Sequence, residues 1–191
     1  MDVQTAQVFF ATLAIIANLA TIALVVARLA HRSPLASSLL ELVGPYGLWL
    51  AWLVALTCTL GSLYFSEVAN FTPCTYCWYQ RIAMYPLAVI LGIAAFRRDW
   101  GIRRYAVPVA GIGAVIALYH FLLERYPETL AIEEACSAVT PCSVPWFTEY
   151  GFITLAYMAL SGFALIIVLL TLPARVREAP GSLSQSVSQE A

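Results

Sequence analysis

The sequence is poor in charge and contains no lysine. Only 11% of its 191 residues are charged, whereas 61% are hydrophobic. A soluble domain of this size could not cover so much apolar side chain with so few charged groups, so a water-soluble class is excluded. The net charge is -1, and no basic patch exists beyond arginines in the segments between apolar runs, which excludes a nucleic-acid-binding surface.

Several cofactor signatures are also missing. The chain has two histidines, so it cannot form a histidine-rich metal cluster. It contains no glycine-rich nucleotide-binding loop and no C-x-x-C-H sequence of the kind that attaches haem. Nucleotide and haem cofactors are therefore not expected as electron carriers.

Long apolar runs dominate the sequence. About 20 apolar residues cross a hydrocarbon layer of ~30 Å as a helix. Five runs approach this length, and the shortest reaches it if its helix begins near Trp78. The runs cover residues 8–29, 43–65, 82–96, 105–123 and 151–172.

These runs predict an all-α integral membrane protein. Residues 43–172 should form an antiparallel four-helix transmembrane bundle. Residues 1–42 should supply one extra N-terminal transmembrane helix and a cytoplasmic linker. The polar tail, residues 173–191, should be disordered in the cytoplasm.

The arginines predict the orientation of the helices. Eight of the ten basic residues flank the ends of apolar runs on one side, and Arg81 and Arg125 fall on the other. Arginine-rich segments stay in the cytoplasm. The N-terminus and the loops around residues 66–77 and 124–150 should therefore be extracytoplasmic. The cytoplasmic set is Arg28, Arg32, Arg97, Arg98, Arg103, Arg104, Arg175 and Arg177.

Four of the five cysteines form two close pairs on the predicted outer side. Cys74 and Cys77 form a C-x-x-C, and Cys136 and Cys142 lie in the second outer loop. Disulfides persist in such an oxidising compartment, and sequence proximity favours the pairs 74–77 and 136–142. Two structural disulfides or a four-thiolate zinc site would explain the same spacing. The fifth cysteine, Cys58, falls inside an apolar run and is expected to act as a small apolar residue.

The C-x-x-C has features of a reactive dithiol. A disulfide that closes so short a loop stabilises the fold only weakly. Helical sequence begins at once after Pro73, which puts Cys77 in a first helical turn, where backbone N–H groups favour a thiolate. Arg81 lies one turn further along the same face and would favour that thiolate too. We therefore expect Cys77 to have the lower pKa of the two. The alternative is that Arg81 only extends its charge towards the lipid headgroups.

The motif residues resemble the DsbB family, and most closely its BdbC-type disulfide formation proteins. The resemblance is carried by GSLYFSEV at residues 61–68, FTPCTYCWYQRIAMYP at 71–86, CSAVTPC at 136–142 and YGFIT at 150–154. It extends over residues 47–170. A second cysteine pair two spans after a C-x-x-C with a following arginine is a specific combination, whereas a C-x-x-C alone is not.

The resemblance implies a site for a membrane quinone, ubiquinone or menaquinone. Cys77 corresponds to the cysteine that meets the quinone, and Arg81 to the arginine that assists quinone binding and thiolate formation. His120 is similar in placement to a histidine implicated in quinone binding. An ordinary hydrogen-bonding role at the membrane interface explains His120 equally well.

The resemblance also implies a path for thiol–disulfide exchange. Cys136 corresponds to the cysteine attacked by an extracytoplasmic thioredoxin-fold thiol oxidase, Cys142 to its resolving partner and Cys74 to the cysteine that exchanges with this loop. We also expect a short amphipathic helix at residues 130–135, on the membrane surface. No metal is expected at either pair.

The expected function is that of a quinone-dependent protein-disulfide oxidoreductase of the bacterial inner membrane. Two alternatives stand beside it. A reductase similar to vitamin K epoxide reductase is disfavoured because in that family the loop pair precedes the C-x-x-C. A non-catalytic membrane scaffold with two structural disulfides would keep both pairs oxidised without any quinone.

Overall fold

The computed structural model describes residues 2–130 and 142–172, and for residues 129 and 130 it describes the backbone alone. Cys136, residues 131–135 of the expected surface helix and the tail at residues 173–191 lie outside the described residues. The predictions for these segments therefore stay predictions.

The described chain is built from helices, as predicted. The long elements are α1 (Val3–Leu29), α2 (Pro34–Val43), α3 (Gly47–Leu63), α4 (Thr75–Arg97), α5 (Arg103–Arg125) and α7 (Leu155–Thr171), with a single turn, α6 (Pro127–Leu130), after α5. A π-helical turn, Tyr64–Val68, extends α3. Within residues 2–130 and 142–172 there is no strand, only an antiparallel bridge between Glu149 and Ile153.

Side-chain caps fix where several helices begin. The hydroxyl of Ser33 accepts a hydrogen bond from the backbone N–H of Ala36, and Pro34 occupies the first position of α2, a pair of signals typical of helix starts. This helix lies in the segment that we predicted to be a cytoplasmic linker, a prediction that named no helix there. The hydroxyl of Thr154 caps α7 by accepting from the N–H of Tyr157.

Helices α3, α4, α5 and α7 form the predicted bundle. Each packs against the next in chain order, and α7 closes the ring by packing against α3. The fully buried side chains include Leu87 and Leu91 of α4 and Phe163 and Ile166 of α7. The extra helix α1 packs on the outside of this ring, against α7.

The helices have the length and apolar surface of membrane spans. Within the described residues, four helical stretches are long and apolar enough to cross a bilayer: Val3–Leu29, Pro34–Val68, Thr75–Arg97 and Trp100–Arg125. Helix α7 is apolar but shorter, with 17 residues. Large apolar side chains face outwards, among them Leu19 at 62% exposed and Ile22 at 60%, as expected for contact with lipid. The protein is therefore a multi-pass membrane protein.

The alternating helix directions gather the described cysteines of both pairs at one end. The start of α4 and the last turns of α5 meet there, and Cys74, Cys142 and Leu123 form one buried cluster with Cys77 at its edge. At the opposite end, Arg28 of α1 donates a hydrogen bond to the backbone oxygen of Thr171. Cys74, Cys77 and Cys142 thus share the end of the bundle away from Arg28.

Candidate functional site: a dithiol between two cavities

Cys74 and Cys77 lie at the N-terminus of α4. Cys74 is the N-cap residue, and its sulfur accepts a hydrogen bond from the backbone N–H of Cys77. The two Sγ atoms are 3.0 Å apart, and both thiols are free. The pair is thus arranged as a reduced dithiol whose sulfurs are already in contact.

The electrostatics of the helix start favour Cys74 as the thiolate. The hydrogen bond that it shares with Cys77 is the main reason why the pKa of the Cys74 thiol lies well below its ordinary value. Burial opposes this lowering and His120 adds to it. The sequence suggested that the helix N-terminus would lower the pKa of Cys77 instead. The structure differs because the side-chain hydrogen bond with Cys77, and to a smaller extent the N–H of Cys77, stabilises the thiolate of Cys74.

His120 of α5 lies beside Cys74. Its Nε2 is 3.6 Å from Sγ of Cys74 and 3.2 Å from the backbone oxygen of Cys142. Its Nδ1 is 3.1 Å from the amide nitrogen of Gln80. Because an amide nitrogen donates, Nδ1 accepts and the ring proton sits on Nε2, pointing towards Cys74 and Cys142.

Glu124 of α5 adds a carboxylate to the polar side chains around His120, and it was not among the predicted site residues. The Glu124 side chain is 5% exposed, and its Oε1 lies 3.8 Å from Nε2 of His120. The hydroxyl of Thr154 donates to its other oxygen at 2.5 Å. Glu124 stands four residues after His120, so the same-face spacing was readable in the sequence, but its burial against α7 was not.

The second cysteine pair is described in part. Cys142 is buried, with 2% of its surface exposed, and it is disulfide-bonded. Cys136 lies outside the described residues, so the 136–142 pairing stays a prediction. The described geometry brings Cys142 to the same histidine as Cys74.

Arg81 is held by α3 on the other side of the dithiol. Its Nε donates to the hydroxyl of Ser62 at 2.9 Å and its Nη2 to the backbone oxygen of Ser62 at 3.1 Å. The hydroxyl of Tyr85 also donates to Ser62, at 3.2 Å, and the guanidinium stacks over Trp78 at 5.3 Å. Arg81 is therefore held in place by Ser62 of α3 and by Trp78.

Two cavities meet at the dithiol. The smaller, of about 220 Å³, is lined by Cys74, His120, Glu124 and Cys142. The larger, of about 550 Å³, is lined by Arg81 and mostly apolar side chains. Cys77 lines both cavities, whereas Cys74 lines the smaller one alone.

The larger cavity fits a quinone. Its volume lies in the usual range for small-molecule sites, roughly 300–1,000 Å³, and such sites are mostly apolar with a few polar groups. The polar groups here include the Arg81 guanidinium, which can donate to a carbonyl oxygen, and the Cys77 thiol. His120, which we also expected at the quinone, lines the smaller cavity.

The dithiol and His120 also offer ligands to a metal. Within the described residues, Sγ of Cys74, Sγ of Cys77 and a ring nitrogen of His120 lie within 4.8 Å of one another. This donor set suits a thiophilic cation such as Zn²⁺. A bound cation would hold both sulfurs as thiolates and so would compete with disulfide formation.

Comparison with known proteins agrees with this site. Residues 45–173 match the family model described as disulfide bond formation protein DsbB. The chain is 48% identical over 125 residues to disulfide bond formation protein C of Bacillus subtilis, an alignment that covers 65% of this chain and 90% of the relative.

Two further relatives come from other bacteria. A probable disulfide formation protein of Deinococcus radiodurans is 48% identical over 135 residues, covering 66% of this chain and 87% of that protein. One from Coxiella burnetii is 41% identical over 121 residues, covering 63% and 82%. No solved structure matches the chain. The matched segment contains the C-x-x-C, Arg81 and the second cysteine pair, and the chain belongs to the DsbB family of disulfide bond formation proteins.

Proposed function

We propose that this protein reoxidises an extracytoplasmic thioredoxin-fold thiol oxidase of the DsbA or BdbD kind and passes the electrons to a membrane quinone. It does so in the bacterial cytoplasmic membrane, with both cysteine pairs on the extracytoplasmic side. The arginines support this orientation, because Arg28, Arg97 and Arg103 lie at the helix ends away from the dithiol.

The position of Cys77 between the two cavities carries the proposal. The smaller cavity contains Cys142 and the polar group around His120, so it suits exchange with a second disulfide. The larger cavity is apolar and contains Arg81, so it suits a lipid-soluble acceptor. A dithiol at this boundary can receive electrons from one side and release them to the other.

The exchange steps follow ordinary thiol–disulfide chemistry. A thiolate of the partner attacks Cys136 of the oxidised 136–142 pair, and Cys142 leaves as a thiolate. The partner's second thiolate then attacks the mixed disulfide, so the partner is oxidised and the 136–142 pair is reduced. A thiolate of this pair attacks Cys74 of the oxidised 74–77 pair, and Cys77 leaves as a thiolate. The second thiolate of the loop pair then attacks the loop sulfur of this mixed disulfide, Cys74 leaves as a thiolate, and the 136–142 disulfide forms again.

The reduced 74–77 dithiol must then lose two electrons and two protons, which the quinone accepts when it is bound. Cys77 and Arg81 would hold its ring, with Ser62 keeping Arg81 in place. The Nε2–H of His120 is suited to stabilising the Cys74 thiolate while this thiolate closes the 74–77 disulfide, and the Glu124 carboxylate beside it is suited to taking up the released proton. This role differs from the quinone contact first expected for His120, and the contacts of His120 with Cys74 and Glu124 favour it.

Thiol trapping in quinone-depleted cells tests the proposal. Free thiols are blocked with a maleimide of known mass, and the mass of the protein reports the state of its cysteines. We expect the reduced 74–77 dithiol to accumulate when quinone is depleted and to disappear when quinone is restored. Cysteines that stay oxidised in both conditions would indicate a scaffold with structural disulfides.

A further inference from the structure

The N-terminal helices α1 and α2 lie outside the part of the chain that the family model matches, which begins at residue 45. Helix α1 is nevertheless joined to the bundle by polar contacts. The amide nitrogen of Asn18 donates to the hydroxyl of Ser161 on α7 at 2.8 Å, and Arg28 donates to the backbone oxygen of Thr171. Hydrogen bonds of this kind hold helices together in lipid.

The larger cavity lies where α1 and α2 face α3, α4 and α7, and residues of all five helices line it. At the end near the dithiol, the ring of Phe10 packs 5.5 Å from the ring of Phe65 and against Gly61, where an added Cβ would lie 2.7 Å from the Phe10 ring. At the other end, Leu39 and Val43 of α2 line the cavity.

Four of the eight α1 residues that line this cavity are alanines. Ala14, Ala17, Ala20 and Ala23 recur at every third position and all line it. The opposite wall includes Leu50 and Val54 of α3. The space between them is a long apolar channel, and Cys77 and Arg81 line its polar end.

We propose that α1 and α2 form the outer wall of a channel for the isoprenoid tail of the quinone. This inference rests on the proposed function, because it takes the acceptor at Cys77 to be a quinone. The channel has the form that this ligand requires: one polar end with a guanidinium donor, followed by a long apolar space. A phospholipid would place its headgroup beside Arg81 and Cys77, and the experiment below includes this occupant among its outcomes.

Filling the channel from α1 tests the inference. Ala17→Phe and Ala20→Phe place a ring in the channel, whereas Leu19→Phe, at a position 62% exposed and outside the cavity lining, is the matched control. Binding of a long-tailed quinone and of a tail-less ring analogue is measured by quenching of tryptophan fluorescence. Thermal unfolding of each variant shows whether it is folded.

We expect Ala17→Phe and Ala20→Phe to weaken binding of the long-tailed quinone about tenfold and to leave binding of the ring analogue unchanged. Leu19→Phe should change neither. Should one alanine variant fail to fold, a quinone with a photoreactive tail replaces it, and its label on the wild-type protein should map to α1.

Three other results would overturn the inference. If wild-type protein binds the long-tailed quinone and the ring analogue with equal affinity, the channel holds no tail, but the proposed function still stands. If Ala17→Phe loses co-purified phospholipid while its quinone affinity is unchanged, the channel is occupied by a lipid acyl chain. If wild-type protein binds neither ligand, the proposed function is contradicted as well.

Discussion

Nε2 of His120 lies 3.6 Å from Sγ of Cys74. Cys74 stands at the start of α4 and His120 on α5, and Gln80 of α4 contacts the other ring nitrogen, Nδ1, which fixes the orientation of the ring. The proton on Nε2 therefore points towards the sulfur, where it stabilises a thiolate. This contact explains part of the lowered pKa of Cys74 and leads to the first prediction.

Replacing His120 with alanine should raise the pKa of Cys74. A depressed thiol pKa means that the thiolate persists as the pH falls until the pH reaches that lowered pKa. Without His120, the pH at which half of Cys74 is a thiolate should rise. At mildly acidic pH, alkylation of Cys74 should then slow about tenfold for each pH unit of this rise. The rate is measured by iodoacetamide labelling and mass spectrometry of the reduced protein. His31→Ala, which changes the other histidine of the chain, is the control, and an equal slowing there would disprove the local explanation.

Glu124→Gln should slow closure of the 74–77 disulfide. The substituted amide can still accept the hydrogen bond from Thr154, so the fold should be kept, but it cannot take up a proton. We expect a roughly tenfold lower rate of dithiol oxidation and a changed pH profile. Stopped-flow oxidation of the reduced protein measures the rate. Glu128→Gln, at an exposed position one turn later, should behave as wild type, and an unchanged rate in Glu124→Gln would remove this carboxylate from the mechanism.

Arg81→Ala should separate the two half-reactions. Its guanidinium lines the larger cavity and not the smaller one, so quinone reduction should fall about a hundredfold while exchange with the protein partner stays within about twofold. Arg81→Lys should rescue quinone reduction in part, because a lysine lacks the planar fork that Ser62 binds. Each half-reaction is followed separately with purified protein.

Arg125→Ala is the control. Arg125 lies at the same end of the bundle, but its guanidinium donates to the backbone oxygen of Gly151. Equal loss of both half-reactions in Arg81→Ala would indicate that Arg81 has a structural role.

Two glycines of α5 should respond in opposite ways to alanine. At Gly113 an added Cβ would lie 2.4 Å from the ring of Phe163, whereas at Gly111 it would meet nothing within 4 Å. Gly113→Ala should therefore destabilise the protein by about 1–3 kcal/mol. Gly111→Ala should be neutral or slightly stabilising, since alanine is the better helix former. Unfolding in detergent measures both, and Phe163→Leu should restore part of the stability lost in Gly113→Ala.

The apolar runs and arginines were enough to predict the helical membrane fold. The length of each run predicts a span, and the short connections make consecutive spans antiparallel neighbours. Helix α2 lies in the segment that was predicted as a linker, and Ser33 and Pro34 form a start signal for it that is readable in the sequence. The helix start at Cys74 was not foreseen as a cap, since sequence patterns fix helix ends only to within a turn or so.

The partners of the site residues were harder to predict than the residues themselves. Ser62 is 19 residues from Arg81 and Glu124 is 30 residues from Thr154, and both contacts depend on how two helices are rotated against each other. Apolar runs in a membrane carry little information about this rotation, because lipid-facing and buried side chains are equally apolar. The same lack of signal hid the channel between α1 and α3.

Anaerobic mixing of the purified, reduced protein with a quinone tests most directly whether the dithiol delivers electrons to that acceptor. Quinol is measured by absorbance, and the thiols that disappear are identified by mass spectrometry. We expect one quinol for each dithiol oxidised, with the new disulfide between Cys74 and Cys77, and no quinol from Cys77→Ser. Quinone that stays oxidised in the presence of the folded, reduced wild-type protein would contradict the proposed function.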